Sequence, residues 1–260
     1  MDKSKLLTFD EYNRTEHKSP YIFEHGNDTR KVFYFGSRHS YNPDDEQFTK
    51  LEEVWGRFLK ETEGKKRIAF EEGGRRPFIA DKKEAILKSG EMGYLVNLAT
   101  NAQIDIFCPE PPQIFSFNEL LKHFSKEKIA YHEFARVCYQ WNNMTVKPDF
   151  EEYMQRFLEG DKKGSGWSDF EFSIPHMIKI QETLFGTKFD KDDKKFFYDI
   201  INPTTEKSVI NKISRFEDES FRDGYILGQI EKYWNEGFSI FIVYGSGHAV
   251  RQEPAIKTLY

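Results

Sequence analysis

The chain has little cysteine and no long apolar run. Only two cysteines occur among its 260 residues, Cys108 and Cys138, and neither lies in a metal-ligand spacing. We therefore expect neither a disulfide framework nor a zinc ribbon. The longest charge-free apolar stretch runs only from Gly237 to Val250 and includes three glycines, whereas a membrane span needs roughly 20 apolar residues. No membrane span is expected.

The chain also has no excess of positive charge. It contains 38 basic and 43 acidic residues, which give a formal net charge of −5. This balance argues against a general nucleic-acid binder. The first residues, Met1 to Asp10, lack the apolar core of a signal peptide, so we expect a cytoplasmic protein. What the chain does have is 38% hydrophobic and 16% aromatic residues, which are enough to build a sizeable core.

Short apolar runs alternate with helical periodicity in the two terminal parts of the chain, while residues 1–30 are polar and irregular. Asn42 is expected to cap the first long helix, with Pro43 in its first turn, and Pro254 to open a short C-terminal helix. Alternating strands and helices predict an α/β fold with a mostly parallel central sheet flanked by helices. The predicted strands are 31–35, 67–70, 104–108 and 238–244.

The middle of the chain has a different pattern. From about Ser116 to Trp234 it consists of aromatic-rich helical segments with few candidate strands. We interpret residues 113–216 as a helical insertion or cap within a single domain of residues 1–260. Its aromatic side chains are expected to form core and cap packing, although such a cap would also suit an apolar ligand.

Two predicted strands are followed by the same motif, Gly-x-x-His. The first runs from Gly36 to His39 and the second from Gly245 to His248. Because the carboxyl ends of parallel strands meet at one edge of a sheet, both histidines are expected at that edge. Three glutamates end the intervening strands and are expected there too: Glu71, Glu72 and Glu110.

Two imidazoles with two or three carboxylates can perform general acid–base catalysis, or they can hold a divalent metal such as Mn, Co or Zn. The candidate metal ligands are His39, Glu71, Glu72 and His248. Successive strand residues point to opposite faces, so only one glutamate of the pair needs to face the site. Crowded carboxylates repel, so the pKa of at least one of them should rise unless a cation lies among them; Arg222 is a candidate for that cation.

Other motifs are incomplete. After Gly245-Ser246-Gly247, a dinucleotide-binding loop would need a glycine where Val250 stands. His132-Glu133 is followed by Arg136 at the position where the zincin helix has its second histidine. No phosphate-binding Walker loop occurs.

Taken in order, the two Gly-x-x-His motifs, the glutamate pair and the Arg222-Asp223 pair resemble the Tiki/TraB superfamily. That superfamily also includes erythromycin esterases and the haem-binding ChaN lipoproteins. The resemblance covers roughly residues 31–112 and 217–259, and Glu110 is a weaker correspondence. The residues at motif positions are His39, Glu71, Glu72, Arg222 and His248.

The resemblance implies several activities, because its members include metal-dependent proteases, esterases with a histidine base, and haem binders. Our leading interpretation is a cytoplasmic hydrolase of an ester, lactone or peptide bond in a small-molecule or peptide substrate. His39 and a carboxylate of Glu71 or Glu72 would activate water, directly or through a divalent ion, and Arg222 would stabilise negative charge. The alternatives are a non-catalytic protein that binds haem or another apolar ligand between the histidines, and an interaction module.

Overall fold

The computed structural model describes residues 1–260 and divides into two compact units. One is an α/β unit made of Met1–Glu110 and Arg222–Tyr260, and the other is a helical unit made of Pro111–Phe221. The predicted insertion, 113–216, lies inside the helical unit. In chain order the elements are α1 (Phe9–Tyr12), β1 (Tyr21–Gly26), β2 (Lys31–Ser37), α2 (Glu46–Glu61), β3 (Lys66–Glu71), α3 (Lys82–Asn101), β4 (Asp105–Phe107), α4 (Gln113–Leu121), α5 (Lys126–Asn143), α6 (Phe150–Ser165), α7 (Ile174–Phe185), α8 (Lys194–Ile201), α9 (Val209–Glu217), α10 (Asp223–Asn235), β5 (Phe238–Gly245) and α11 (Ser246–Ile256).

The α/β unit is built on a five-stranded sheet in the order β1-β2-β5-β3-β4. All neighbours are parallel except β1, which runs antiparallel to β2 at the edge. The α/β fold with a mostly parallel, helix-flanked sheet is therefore confirmed, and so are the four predicted strands. The expectation that residues 1–30 are irregular was wrong for β1. This strand was missed because polar residues such as Glu24 and His25 interrupt its apolar pattern at the sheet edge.

Two helix starts differ from the sequence prediction. The α2 helix begins at Glu46, capped by Asp45, whose side chain accepts the Gln47 N–H. Asn42 instead begins a turn, since its carbonyl accepts the Asp45 N–H at 3.0 Å. The last helix, α11, begins directly at Ser246, and Pro254 lies in its final turn.

The central strands bury both of their faces. One face packs against α10 and α11 through alternate residues such as Tyr34 and Ile242. The other face packs against α2 and α3 through Phe33, Phe35 and Val243. Burial on two sides explains why these strands are almost continuously apolar in the sequence.

The helical unit has an aromatic core of its own, formed by residues such as Phe134, Met154 and Phe197. Helix α6 continues through Asp161 to Ser165. Its C-cap, Gly166, has a left-handed backbone conformation with φ +68. No helix anywhere in the structure combines the length and the apolar character that crossing a membrane requires.

Gly36, the first residue of the first Gly-x-x-His motif, allows α11 to pack closely on β2. A Cβ atom at this position would lie 2.6 Å from the Ala249 Cβ and 2.8 Å from the Tyr21 carbonyl oxygen. Both neighbours belong to packed elements that cannot easily move. The glycine is therefore required by the fold at the point where the motif begins.

We expect Gly36→Ala to lower the free energy of unfolding by about 1–3 kcal/mol, the usual cost of overpacking a core. Gly56→Ala is the matched control, because Gly56 is exposed within α2 and a Cβ atom there would have no neighbouring atom within 4 Å. That substitution should stabilise the protein by about 0.5–1 kcal/mol. Urea unfolding of both variants measures the difference, and equal effects would contradict the packing argument.

Candidate active site at the carboxyl edge of the sheet

The register of the central strands brings their carboxyl ends together. Ser37 at the end of β2 pairs with Gly245 at the end of β5, and Glu71 at the end of β3 pairs with Val243. Side chains that follow these ends by one to three residues therefore meet at one edge. The structure brings five of the sequence-predicted residues together there: His39, Glu72, Glu110, Arg222 and His248.

Glu72 lies at the centre of this group. Its Oε2 accepts the Gly245 N–H at 2.7 Å and lies 3.9 Å from His39 Nε2. Its Oε1 lies 3.7 Å from His248 Nε2 and accepts a hydrogen bond from Arg222 Nη2 at 3.3 Å. Burial opposes the charge, but the positive charges of His39 and Arg222, and of His248 when its ring is protonated, lower the pKa of Glu72 to about 2. Glu72 is thus an ionised carboxylate at neutral pH.

Gly245, which opens the second Gly-x-x-His motif, has a direct role in the site. A Cβ atom on this residue would lie 2.8 Å from His39 Nε2 and 3.6 Å from Glu72 Oε2. Any side chain here would displace the His39 ring or the Glu72 carboxylate. The glycine therefore leaves room for the first histidine while its backbone N–H binds the glutamate.

His39 is paired with Glu91, a residue that the sequence analysis missed. Its Nδ1 lies 2.5 Å from Glu91 Oε1, which also accepts the Ser37 hydroxyl at 2.8 Å. Partial removal of the ring from water lowers its pKa, but the charges of Glu91 and Glu72 outweigh this and raise the pKa of His39 to about 9. Because 53% of the side chain is exposed, the protein presents an imidazolium to solvent at neutral pH.

Glu91 reaches His39 because α3 is kinked. Gly90 has φ +59 inside the helix, and a Cβ atom there would lie 2.9 Å from the Ser40 carbonyl oxygen. The available signal in the sequence was a glycine followed by one charged residue directly before the apolar run Met92–Val96. Periodicity alone gave no reason to connect this position with His39.

His248 has a carboxylate partner as well, Asp223. Its Nδ1 lies 2.7 Å from Asp223 Oδ1, and the same carboxylate accepts a hydrogen bond from Gln252 and pairs with Arg251. Burial opposes the charge of Asp223, yet His248 and Arg251 lower its pKa. Arg222 Nη1 lies 3.1 Å from His248 Nε2. A guanidinium only donates, so Nε2 accepts and the ring proton is on Nδ1.

Arg222 ends a π-helical turn, Asp218–Arg222, directly before α10, so that two successive residues, Arg222 and Asp223, both reach the site. Its Nε and Nη2 donate to the two oxygens of Glu110 at 2.8 and 2.7 Å. Glu110 also accepts hydrogen bonds from the Tyr244 hydroxyl and the Gly73 N–H. Arg222 thus lies among the carboxylates, and its N–H groups are directed at protein acceptors.

Glu71 is turned away from this group. It is fully buried, and its Oε1 accepts the Arg76 N–H at 3.4 Å. Its Oε2 lies 3.6 Å from Arg76 Nη1 and has no hydrogen-bond partner. Burial raises the pKa of Glu71, while Arg76 opposes this shift. Of the two adjacent glutamates, Glu72 is the one beside the histidines.

The arrangement does not fit a metal ion shared by His39, Glu71, Glu72 and His248. Arg222 donates to His248 Nε2, the oxygens of Glu72 accept N–H groups of Gly245 and Arg222, and Glu71 faces elsewhere. The Glu72 carboxylate lies beside the Nε2 atoms of both histidines, 3.9 Å from His39 and 3.7 Å from His248. The side chains whose ligand atoms do lie within 4.8 Å of one another are His132, Glu133 and Glu217 in the helical unit.

Comparisons with protein-family models, curated proteins and solved structures found no match. The resemblance to the Tiki/TraB superfamily rests on the motif residues themselves. Chemically, the site combines an imidazolium at His39, an unprotonated Nε2 at His248 and an ionised carboxylate between them. A proton donor and a proton acceptor in one site are the requirements of acid–base catalysis.

We expect the ring protons of His39 to titrate by NMR with a pKa of about 9 in the wild type. Glu91→Gln should lower this pKa toward 6.5, the value of an unperturbed histidine, because the adjacent negative charge is removed. Glu84→Gln is the control, since Glu84 lies exposed on the same helix and pairs with Lys88.

The raised pKa also predicts a pH dependence of stability. A group whose pKa is higher in the folded state stabilises it fully below the unfolded pKa, near 6.5, and this contribution is lost as the pH rises through about 9. Urea unfolding between pH 6 and 10 should therefore show a smaller loss of stability in Glu91→Gln than in the wild type. A wild-type His39 that titrates near 6.5 would refute the assignment.

Proposed function

We propose that the protein is a hydrolase that opens an ester, lactone or peptide bond by metal-independent acid–base catalysis. The observation that carries the proposal is the pair of histidine–carboxylate dyads, His39 with Glu91 and His248 with Asp223, on the two sides of ionised Glu72. The two histidines have opposite environments. Groups whose environments separate their protonation states are suited to separate acid and base roles.

His248 is the general base in this proposal. Asp223 accepts the Nδ1 proton, which leaves the Nε2 lone pair directed toward the site. This is the orientation in which a histidine accepts a proton from a nucleophile. A water molecule that exchanges for the Arg222 hydrogen bond transfers a proton to Nε2 and attacks the substrate carbonyl carbon.

His39 is the general acid. Water activation was expected of His39 with a glutamate, but a pKa of about 9 keeps the His39 ring protonated, and a pKa of about 2 makes Glu72 a weak base. The exposed imidazolium instead donates its proton to the leaving oxygen or nitrogen as the carbonyl bond breaks. Water is thereby added across the bond, and the starting state returns when His248 releases its proton to solvent and His39 takes one up from solvent.

Arg222 acts on the other groups rather than through a hydrogen bond to the substrate. Its N–H groups donate to Glu110, Glu72 and His248. Its charge helps to keep Glu72 ionised, and its Nη1 donates to the His248 Nε2. Negative charge that develops on the substrate is stabilised by the His39 imidazolium and by the N-terminus of α11, which has no side-chain cap.

Hydrolysis of a panel of aryl esters, lactones and peptides tests the proposal. We expect His39→Ala and His248→Ala each to lower kcat/KM by about 10²–10⁴ on a substrate that the wild type cleaves, since each removes an acid–base group. His123→Gln, which changes an exposed histidine of the helical unit, should have no effect. Activity that survives the double His39→Ala/His248→Ala substitution would refute the proposal.

Two further readouts separate this mechanism from others. The rate should decline as the pH rises through about 9, because protonated His39 is lost, and Glu91→Gln should shift this decline to lower pH. A chelator should leave the rate unchanged. Loss of activity on metal removal, restored by adding a divalent ion, would instead favour a metal-dependent hydrolase.

A further inference from the structure

The carboxylate beside His248 is itself held by a buried cation. Asp223 Oδ1 faces His248 Nδ1 at 2.7 Å, and its other oxygen, Oδ2, lies 2.6 Å from Arg251 Nη1. Asp223 is fully buried, and Arg251 is only 1% exposed. Two opposite charges out of water depend on each other, because the loss of either one leaves the other uncompensated. Arg251 is therefore required for an ionised Asp223 at this position.

The two histidine–carboxylate dyads differ in what lies on the far side of the carboxylate. Glu91, in the His39 dyad, accepts hydrogen bonds from the Ser37 hydroxyl and the Ser40 N–H, which are neutral donors. Asp223, in the His248 dyad, has the Arg251 guanidinium. A carboxylate with neutral donors attracts a proton to its histidine with its full charge, whereas a guanidinium offsets part of that charge. Arg251 thus distinguishes the dyad of the base from the dyad of the acid.

Arg251 is in turn fixed by the segment that leads into α1. Leu7 and Arg251 exchange two hydrogen bonds: the Leu7 N–H donates to the Arg251 carbonyl at 3.1 Å, and Arg251 Nε donates to the Leu7 carbonyl at 2.9 Å. The guanidinium carbon lies 4.0 Å from the centre of the Phe9 ring, a cation–π contact. Phe9 is buried and begins α1, which Thr8 caps. The guanidinium therefore has a defined position on its solvent side as well.

We propose that Arg251 is a positioning residue of the hydrolase: it holds the Asp223 carboxylate against His248, and residues 7–9 hold Arg251. This inference rests on the role of His248 as general base in the proposed function. Arg251 acts through Asp223 and does not touch the substrate. Because its charge offsets that of the carboxylate, His248 releases its proton to solvent after each turnover instead of retaining it in a tight ion pair.

The charged groups that face His248 from other elements include Arg222 before α10, Glu72 after β3 and Glu110 after β4. A substitution at Arg251 alters none of them. A change in the protonation of His248 in such a variant therefore reports the charge at position 251, transmitted through Asp223.

The pH dependence of kcat/KM and the ring-nitrogen NMR signals of His248 in the full chain test the proposal. In Arg251→Gln we expect the acidic limb of the rate profile, and the pH at which the His248 ring becomes doubly protonated, both to move up by about one pH unit or more. On that limb kcat/KM falls about tenfold for each unit. Arg251→Lys retains the charge and should restore most of the wild-type profile.

Arg30→Gln is the matched control. Arg30 belongs to the same unit, lies 4.5 Å from the centre of the Trp234 ring and donates to the Trp234 carbonyl, as Arg251 does with Phe9 and Leu7. It contacts neither dyad, so its loss should leave the pH profile and the His248 signals unchanged. Phe9→Leu removes the ring beside Arg251 and alters no charged group. It should shift the profile in the same direction as Arg251→Gln but by less, and it provides the test if Arg251→Gln does not fold.

Three results would overturn the proposal: a His248 titration in Arg251→Gln or Phe9→Leu that matches the wild type, an Arg251→Lys profile equal to that of Arg251→Gln, or an equal shift in Arg30→Gln. The NMR titration needs no substrate. A wild type that hydrolyses nothing therefore refutes the proposed function, while the His248 signals still show whether Arg251 acts on the dyad.

Discussion

The negative charge of Glu72 at the carboxyl edge of the sheet is the interaction on which the rest of the site depends. Burial would favour the protonated carboxyl, and the charge persists because the positive charges of His39 and Arg222 lie beside it. In return it helps to raise the pKa of His39. The Gly245 N–H completes this balance, and it can do so because no side chain at that position separates the glutamate from His39.

This interaction also links the site to the completion of the sheet. His39 follows β2, Glu72 follows β3, and β5 pairs between those two strands while delivering His248. The site therefore cannot form until the last strand of the chain has entered the middle of the sheet. The tight contact of α11 with Gly36 fixes the first turn of the helix that carries His248. A loss of packing at Gly36 would therefore disturb the catalytic geometry as well as the stability of the sheet.

Much of the edge could be predicted from the sequence, because parallel strands bring residues that follow their carboxyl ends together. That rule placed His39 beside His248 without any side-chain information. It could not find Glu91, whose approach depends on the left-handed Gly90 within α3. It also could not choose between Glu71 and Glu72, since the choice depends on the face at which β3 ends. The rule also could not predict which ring nitrogen of each histidine carries the proton. That choice is set by partners such as Asp223, which lie far away in the sequence.

Both units place a histidine beside a carboxylate and an arginine. At the sheet edge, carboxylates bind the Nδ1 atoms of both histidines, and Arg222 supplies a positive charge at close range. Because Arg222 supplies the positive charge beside these carboxylates, the sheet edge favours proton transfer. In the helical unit Ser214 takes Nε2 of His132, and Nδ1 faces a carboxylate at 3.1 Å. Arg136 Nη1 lies 3.4 Å from Glu133 Oε2 and 3.5 Å from Glu217 Oε2, so the protein supplies a positive charge there too.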